Sequence, residues 1–221
     1  MKLKKNNKFV VAADGSAASG KTTGAKIISK KYGLKFLSSG LLYRFASYQL
    51  LKAKPKNKIK FLKFKFKNLD YNKITKINLH SSKISEHTSI IAKQKKIRNI
   101  LKKFQRDFAS KHKRVCIEGR DIGTVILPKA DLKFFFICNL DIAAKRRYKE
   151  LMKKNKLIKF KNVKKELKNR NLRDISRKNS PLLKSPGAVI VDTAKKAKNI
   201  TMMVKLMSKF MDRKILEKYG S

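Results

Sequence analysis

The stretch Phe9-Val-Val-Ala-Ala-Asp-Gly15-Ser-Ala-Ala-Ser-Gly20-Lys21-Thr22-Thr23 decides the fold. Its first five residues are apolar and predict a short buried strand, Phe9–Ala13. After Asp14, the eight residues Gly15–Thr22 fit the pattern G-x-x-x-x-G-K-[ST], whose small residues let backbone N–H groups close around a phosphate group. A helical pattern, Lys21–Lys31, follows directly, so the strand and the helix that this phosphate-binding loop (P-loop) requires are both predicted.

The chemistry of the loop predicts ATP as a ligand and Mg²⁺ as a cofactor. Lys21 can span the β- and γ-phosphates, and the hydroxyl of Thr22 or of Thr23 can bind the metal. The sequence lacks the N-K-x-D motif of GTPases and is short for a motor or a helicase, which favours a small kinase. The predicted ATP-binding residues are Gly15, Ser16, Ala17, Ala18, Ser19, Gly20, Lys21, Thr22 and Thr23.

Strands alternate with helices along the rest of the chain. This order predicts an α/β protein of the P-loop NTPase type, with three layers and a parallel sheet of about five strands. The further predicted strands are Arg114–Ile117, Leu132–Cys138, Ala188–Val191 and the weaker Lys35–Leu37. The further predicted helices are Leu41–Leu51, Ile90–Phe108, Asp141–Lys154 and Thr201–Lys218.

The composition bounds the remaining possibilities. The chain has 221 residues and is 42% hydrophobic, which fits one domain with a sizeable core. The apolar run after the basic N-terminus is too short for a signal peptide, and no stretch reaches the ~18 residues of a membrane span. We therefore expect a soluble, cytoplasmic monomer without a membrane partner. Cys116 and Cys138 lie in apolar runs and are expected to be buried and reduced.

The formal charge of +45 invites a nucleic-acid partner. The basic residues comprise 48 lysines and 11 arginines, and the lysines are spread over nearly every segment, as a compositional bias would produce. Lysine is crowded in residues 52–79, where Phe61, Phe64 and Phe66 are interleaved. The alternation Phe64-Lys-Phe66 predicts a half-buried edge strand, although a basic nucleic-acid-binding arm would show it too. A second lysine-rich stretch, residues 152–168, predicts a mobile flap.

Five separated elements resemble the bacterial cytidylate kinases, which are nucleoside monophosphate kinases. The resemblance runs from the P-loop almost to the C-terminus and is interrupted at residues 52–79. The elements are Ala13–Thr23, Phe36–Arg44, Ser89 with Arg98, Glu118–Thr124, and Arg170–Arg177 followed by Ser180–Leu182.

This resemblance implies transfer of the ATP γ-phosphoryl group to CMP or dCMP, within pyrimidine nucleotide metabolism. It also implies a small acceptor-binding insert and a helical lid. The implied acceptor-binding residues are Ser39, Arg44, Ser89, Arg98, Asp121, Arg170, Asp174 and Arg177, with Arg44 on the phosphate. The implied catalytic residues, beside Lys21, are the arginines that could neutralise the transferred group: Arg120, Arg146 or Arg147, and Arg173.

The residue types support these roles. Arginine offers a planar, two-pronged donor for phosphate, and six of the eleven arginines fall in the five elements while Arg146 and Arg147 directly precede the presumed lid. Asp121 could accept a hydrogen bond from the cytosine amino group, or it could pair with Arg120 or cap a turn. Glu118 could hold Mg²⁺ through water, or it could form a loop salt bridge.

The sequence departs from the family pattern at several of these positions. Ser38 stands where the family has aspartate, Glu118 replaces aspartate, and Thr22 replaces glycine. Asn171 and Leu172 interrupt an otherwise charged lid motif. These changes put rate and selectivity in question more than the activity.

The expected organisation is a core with three parts and two appended regions. The core is residues 1–40, 113–147 and 179–221, the acceptor region is 41–112, and the lid is 148–178. Two alternatives stay open at this point: a kinase for another small acceptor, such as UMP or shikimate, and a basic nucleic-acid-binding protein on a P-loop fold.

Overall fold

The computed structural model describes residues 3–4, 6–153 and 157–220, and its centre is a five-stranded parallel sheet. The strands are β1 (Phe9–Gly15), β2 (Lys35–Ser38), β3 (Arg114–Gly119), β4 (Leu132–Ile137) and β5 (Val189–Asp192). Their order in the sheet is β2-β3-β1-β4-β5, and every neighbouring pair is parallel. The predicted α/β class and all five predicted strands are confirmed.

Helices cover both faces of this sheet. They are α1 (Lys21–Tyr32), α2 (Ser39–Ala53), α3 (Lys58–Lys67), α4 (Tyr71–Thr75), α5 (Ser82–Ile91), α6 (Lys95–Ser110), α7 (Leu140–Met152), α8 (Phe160–Ser176) and α9 (Ile200–Tyr219). A single π-helical turn, Ile122–Ile126, follows β3. No helix in the described ranges is both long and apolar enough to cross a membrane.

Alternate residues of β1 enter two cores, one on each side of the sheet. Phe9 and Val11 pack with the methionines of α9, whereas Ala12 packs with residues of α2, α3 and α6. Burial on both faces explains why the strands are short, nearly continuous apolar runs.

The lysine-rich segment differs from the prediction. Phe64-Lys-Phe66 is part of helix α3 and not of an edge strand. Leu62 and Phe66, one helical turn apart, are buried against the core, while Phe64 is 74% exposed. Spacing of four residues on one face is helical, so the period of 3.6 prevails over the apparent alternation.

Two other predicted segments have a different secondary structure from the one expected. The helix predicted over Ile90–Phe108 is two helices, because α5 ends at Ile91 and α6 begins at Lys95. The stretch predicted as a flap, residues 152–168, contains the start of α8, and its residues 154–156 lie outside the described residues. Both cysteines are free as expected, with Cys116 buried and Cys138 only partly so.

All five strands point their carboxyl ends to one edge of the sheet, which is where open α/β sheets bind ligands. The P-loop follows β1 at this edge, Ser39 follows β2, and Arg120 follows β3. The topology therefore collects most of the predicted site residues, although they are far apart in the chain.

Candidate active site

The P-loop connects β1 to α1 at the base of a cleft of about 1120 Å³. Gly15 (φ 153°) and Gly20 (φ 79°) have backbone angles that side chains rarely tolerate. A Cβ at Gly15 would collide with the backbone oxygen of Phe136. The glycines of the motif are thus required for the turn, and the N-terminus of α1 faces the cleft with its free N–H groups. Thr22 and Thr23 both line the cleft.

Lys21 forms a buried ion pair with Glu118, whose other carboxylate oxygen accepts a hydrogen bond from the Ser38 hydroxyl. Burial alone would raise the pKa of Glu118, but Lys21 and Ser38 hold it below its ordinary value. Burial lowers the pKa of Lys21, against the attraction of Glu118. The shorter Ser38 and the longer Glu118, two departures from the family pattern, therefore meet directly.

Four arginines line the same cleft as the P-loop: Arg44 of α2, Arg147 of α7, Arg170 of α8, and Arg120, which follows β3. Burial and the charges of Arg147 and Arg120 lower the pKa of Arg44 to about 10. Burial, Arg120 and Arg44 lower the pKa of Arg170 to about 9. Arginines that lower one another's pKa in this way form a site for an anion, because a bound phosphate group would offset their mutual repulsion.

The predicted catalytic arginines other than Arg120 also line the cleft, and each has a different set of contacts. Arg146 donates to the hydroxyl and the carbonyl oxygen of Thr193 (3.0 and 2.9 Å). Arg147 pairs with the exposed Glu150 at 3.0 Å. The Nε of Arg173 is buried and has no hydrogen-bond partner among the described residues.

A second, more balanced cluster surrounds Asp121, just after β3. Arg98 donates to Asp121 at 2.5 Å and lies over the ring of Tyr43, 5.6 Å from its centre. Arg177 lies 3.9 Å from Asp121 and 3.5 Å from Asp174. Burial alone would lower the pKa of Arg98, but Tyr43 and Asp121 raise it instead. Asp121 therefore neither pairs with Arg120 nor caps a turn, the two alternatives considered from the sequence.

Arg120 links the two clusters. Its Nε donates to Asp174 at 2.8 Å, while its charge repels Arg44 and Arg170. Asp174 holds a low pKa, because the attraction of Arg120 and Arg170 outweighs the cost of its burial. The two clusters are thus the two ends of one polar wall.

Two predicted residues lie apart from these contacts. Ser39 is buried at the start of α2, beside Gly119. The Ser89 hydroxyl donates to the carbonyl oxygen of Glu86, within its own helix. Neither residue lines the cleft in this conformation, and the buried Asp121 cluster (Arg98, Asp121, Asp174 and Arg177) does not line it either.

Three residues with direct contacts to the site were not predicted. The Asn171 side chain accepts from the P-loop N–H of Ala17 at 3.1 Å. Thr193 donates to the carbonyl oxygen of Ser19 at 3.1 Å and also holds Arg146. Asp14 accepts from two backbone N–H groups of the turn after Asp121. Asp14 had a signal in the sequence, since an acidic residue ends an otherwise apolar strand, and Asn171 stood out as a departure from the lid motif, whereas Thr193 had no signal.

Comparison with known proteins agrees with this geometry. Residues 11–210 match the family model for cytidylate kinase. The chain is 40% identical to the cytidylate kinase of Bartonella tribocorum over 84% of this chain and 87% of that one. It is 34% identical to the cytidylate kinase of Clostridium tetani over 96% and 98%.

A solved structure from Thermus thermophilus shares the fold. Its TM-score is 0.53 at 12% identity, covering 95% of this chain and 98% of the other. At that identity the likeness concerns architecture only. The family model and the relatives, which span most of the chain, show that it belongs to the cytidylate kinase family.

Proposed function

We propose that this chain transfers the γ-phosphoryl group of ATP to CMP or dCMP, giving ADP and CDP or dCDP. The observation that carries the proposal is the crowding of Arg44, Arg120, Arg147 and Arg170 in the cleft that the P-loop lines. A transferred phosphoryl group spreads negative charge over its oxygens, and catalysis consists largely of positioning it and offsetting that charge.

The donor is held by the P-loop. The N–H groups of residues 16–23 surround its phosphates, and Lys21 moves from Glu118 to the β- and γ-phosphates as ATP enters. Phosphate thereby replaces Glu118 as the counter-charge of Lys21. The released Glu118 carboxylate and the Thr22 or Thr23 hydroxyl supply hard oxygen atoms of the kind that Mg²⁺ prefers.

These residues fit a Mg²⁺ site of which the protein supplies one part and the phosphates of ATP the other. The described residues contain no group of three or more acidic, histidine or cysteine side chains that could hold a metal ion alone. One carboxylate and one hydroxyl beside the nucleotide phosphates is the usual protein share of a Mg²⁺ site. Bound Mg²⁺ would offset charge on the phosphate oxygens.

The acceptor lies along the wall between the two clusters. Its phosphate binds Arg44 and Arg170, and its cytosine amino group donates to Asp121, which Arg98 orients. Ser39, Ser89, Asp174 and Arg177 complete the set of acceptor residues. Uracil presents an oxygen in place of the amino group, so it would leave the carboxylate facing an acceptor.

The remaining arginines accelerate the transfer. Arg120, Arg146, Arg147 and Arg173 offset the charge of the group in transfer, and one such arginine can contribute ~10³-fold or more. Residues 148–178 act as the lid and residues 41–112 as the acceptor region. Their closure excludes water and limits ATP hydrolysis.

An ADP-release assay with Mg-ATP and each of CMP, dCMP, UMP, AMP, GMP and shikimate tests the proposal. Lys21→Met, prepared in parallel, controls for a contaminating kinase. Turnover led by CMP or dCMP, and absent from the variant, is the expected result. Folded protein that releases no ADP with CMP or dCMP, or that prefers another acceptor, would overturn the proposal.

A further inference from the structure

The turn that follows Asp121 is hydrogen-bonded to a residue of β1, a strand that lies far away in the chain. Ile122–Ile126 is a single π-helical turn, and its first two N–H groups, those of Ile122 and Gly123, point towards the end of β1. There the Asp14 carboxylate accepts both, one on each oxygen, at 2.8 and 2.7 Å. Asp14 is 2% exposed, so these hydrogen bonds are shielded from water.

Asp121 occupies the position that would ordinarily cap this turn. An aspartate just before a helical turn usually turns its carboxylate back onto the first free N–H groups. Asp121 makes no such capping hydrogen bond. Its carboxylate instead faces Arg98 at 2.5 Å. A capping carboxylate accepts from the second or third residue of its turn, and the N–H group of the second residue, Gly123, is already bound by Asp14.

We propose that Asp14 is a positioning residue for acceptor recognition, which caps the turn in place of Asp121 and so frees Asp121 to read the base. This inference rests on the function proposed above. Its location adds a second consequence, because Asp14 directly precedes Gly15, the first residue of the P-loop. One side chain therefore fixes the base-reading turn relative to the donor loop.

The close packing around the turn supports this role. A Cβ at Gly123 would lie 2.7 Å from the Ser185 hydroxyl and 3.4 Å from the Asp14 carboxylate. The turn is thus confined between Ser185 and Asp14. Burial raises the pKa of Asp14, Asp121 raises it further and Lys21 lowers it, and the charge of Arg120 also interacts with this carboxylate.

Asp14→Asn is the test, because the amide is nearly isosteric but can accept only one of the two N–H groups. We expect the KM for CMP to rise about 10-fold, the scale of one lost buried hydrogen bond, with kcat and the KM for ATP changed less than about 3-fold. The preference for CMP over UMP should fall with it. Asp131→Asn is a matched control, since Asp131 accepts from Val10 N–H at 2.7 Å at the opposite end of β1. It should leave these constants unchanged.

A double-mutant cycle with Asp121→Ala separates positioning from general stability. If Asp14 acts through Asp121, adding Asp14→Asn to Asp121→Ala should cost little further CMP affinity, measured by calorimetry. Additive losses, or an equal loss of ATP and CMP affinity, would overturn the inference. Wild-type protein that does not bind CMP would instead defeat the proposed function.

A measurement on the wild-type protein covers the case in which Asp14→Asn does not fold. The backbone amide resonances of Ile122 and Gly123 should shift when CMP is added and stay in place when a non-hydrolysable ATP analogue is added. Amides that ignore CMP, in protein that calorimetry shows to bind it, would contradict the role of Asp14.

Discussion

Arg44 and Arg98 are equally buried, at 8% and 7% exposure, yet their environments are opposite. Arg44, at the phosphate end of the wall, is surrounded by other arginines, and its pKa falls to about 10. Arg98, at the base end, is paired with Asp121, and its pKa rises. A cluster with an excess of positive charge suits a phosphate group, whereas a balanced one suits an uncharged base. On the proposed function, the difference predicts that the acceptor's phosphate lies near Arg44 and its base near Arg98.

The largest effect is expected at the phosphate end. Lys21→Met should lower kcat about 10³-fold, because the β- and γ-phosphates lose a preorganised cation, while calorimetric CMP affinity stays near the wild-type value. The variant should also unfold more easily, by about 3 kcal/mol, since Glu118 is left buried without its partner.

A second substitution separates these two effects. Lys21→Met combined with Glu118→Gln should regain much of the lost stability in urea unfolding but none of the turnover. Turnover of Lys21→Met within tenfold of the wild-type rate would contradict the assigned role of the P-loop lysine.

The next effect compares the two arginines directly in the nucleotide-free protein. Arg98→Met should lower the free energy of unfolding by about 3 kcal/mol, because Asp121 loses its nearest counter-charge. Arg44→Met should change it by no more than about 1 kcal/mol, since relief of repulsion offsets the lost hydrogen bonds to Leu79 and Ser85. Urea unfolding measures both. Equal losses would remove the distinction between the two ends.

A smaller effect is expected in the pH dependence of stability, and it concerns Asp14, which holds the turn after Asp121. Burial, assisted by Asp121, raises the pKa of Asp14 from 3.8 to about 6. The folded state therefore holds the proton more tightly than the unfolded state, and the stability gained from that proton is lost as pH rises from about 4 to about 6.

Compared with Asp14→Asn, the wild-type protein should lose about 2–3 kcal/mol of unfolding free energy between about pH 4 and about pH 7. Unfolding in urea at both pH values gives the difference, and using the variant as reference cancels the titration of all other groups. A difference in unfolding free energy that does not change with pH would show that folding does not raise the pKa of Asp14.

The strands and the P-loop could be predicted because local features determine them. The loop has fixed glycines and a fixed lysine, and the strands are short apolar runs buried on both faces. Phe64-Lys-Phe66 was mispredicted because, over three residues, alternation fits a strand while Leu62 and Phe66 also fit a helix. Only the core, which buries Leu62 and Phe66, decides between them.

The partners of the charged side chains could not be predicted for a different reason. Asp121 is adjacent to Arg120 in the chain but pairs with Arg98, which α6 brings to it, while Arg120 pairs with Asp174 of α8. Such pairs depend on how helices pack across the sheet, and residue type does not encode that. The same holds for Asp14, whose two hydrogen bonds span more than a hundred residues.

The most direct test of the account measures acceptor preference at both ends of the wall. ADP release would be followed with CMP and with UMP for the wild-type protein, Arg44→Met and Asp121→Ala. Arg44→Met should lower kcat/KM for both acceptors by a similar factor, about 10²-fold, and leave their ratio unchanged, because both carry the same phosphate. Asp121→Ala should lower kcat/KM for CMP about 10- to 100-fold and for UMP far less, so that the ratio approaches one. A changed ratio in Arg44→Met with an unchanged ratio in Asp121→Ala would contradict the assignment of the two ends.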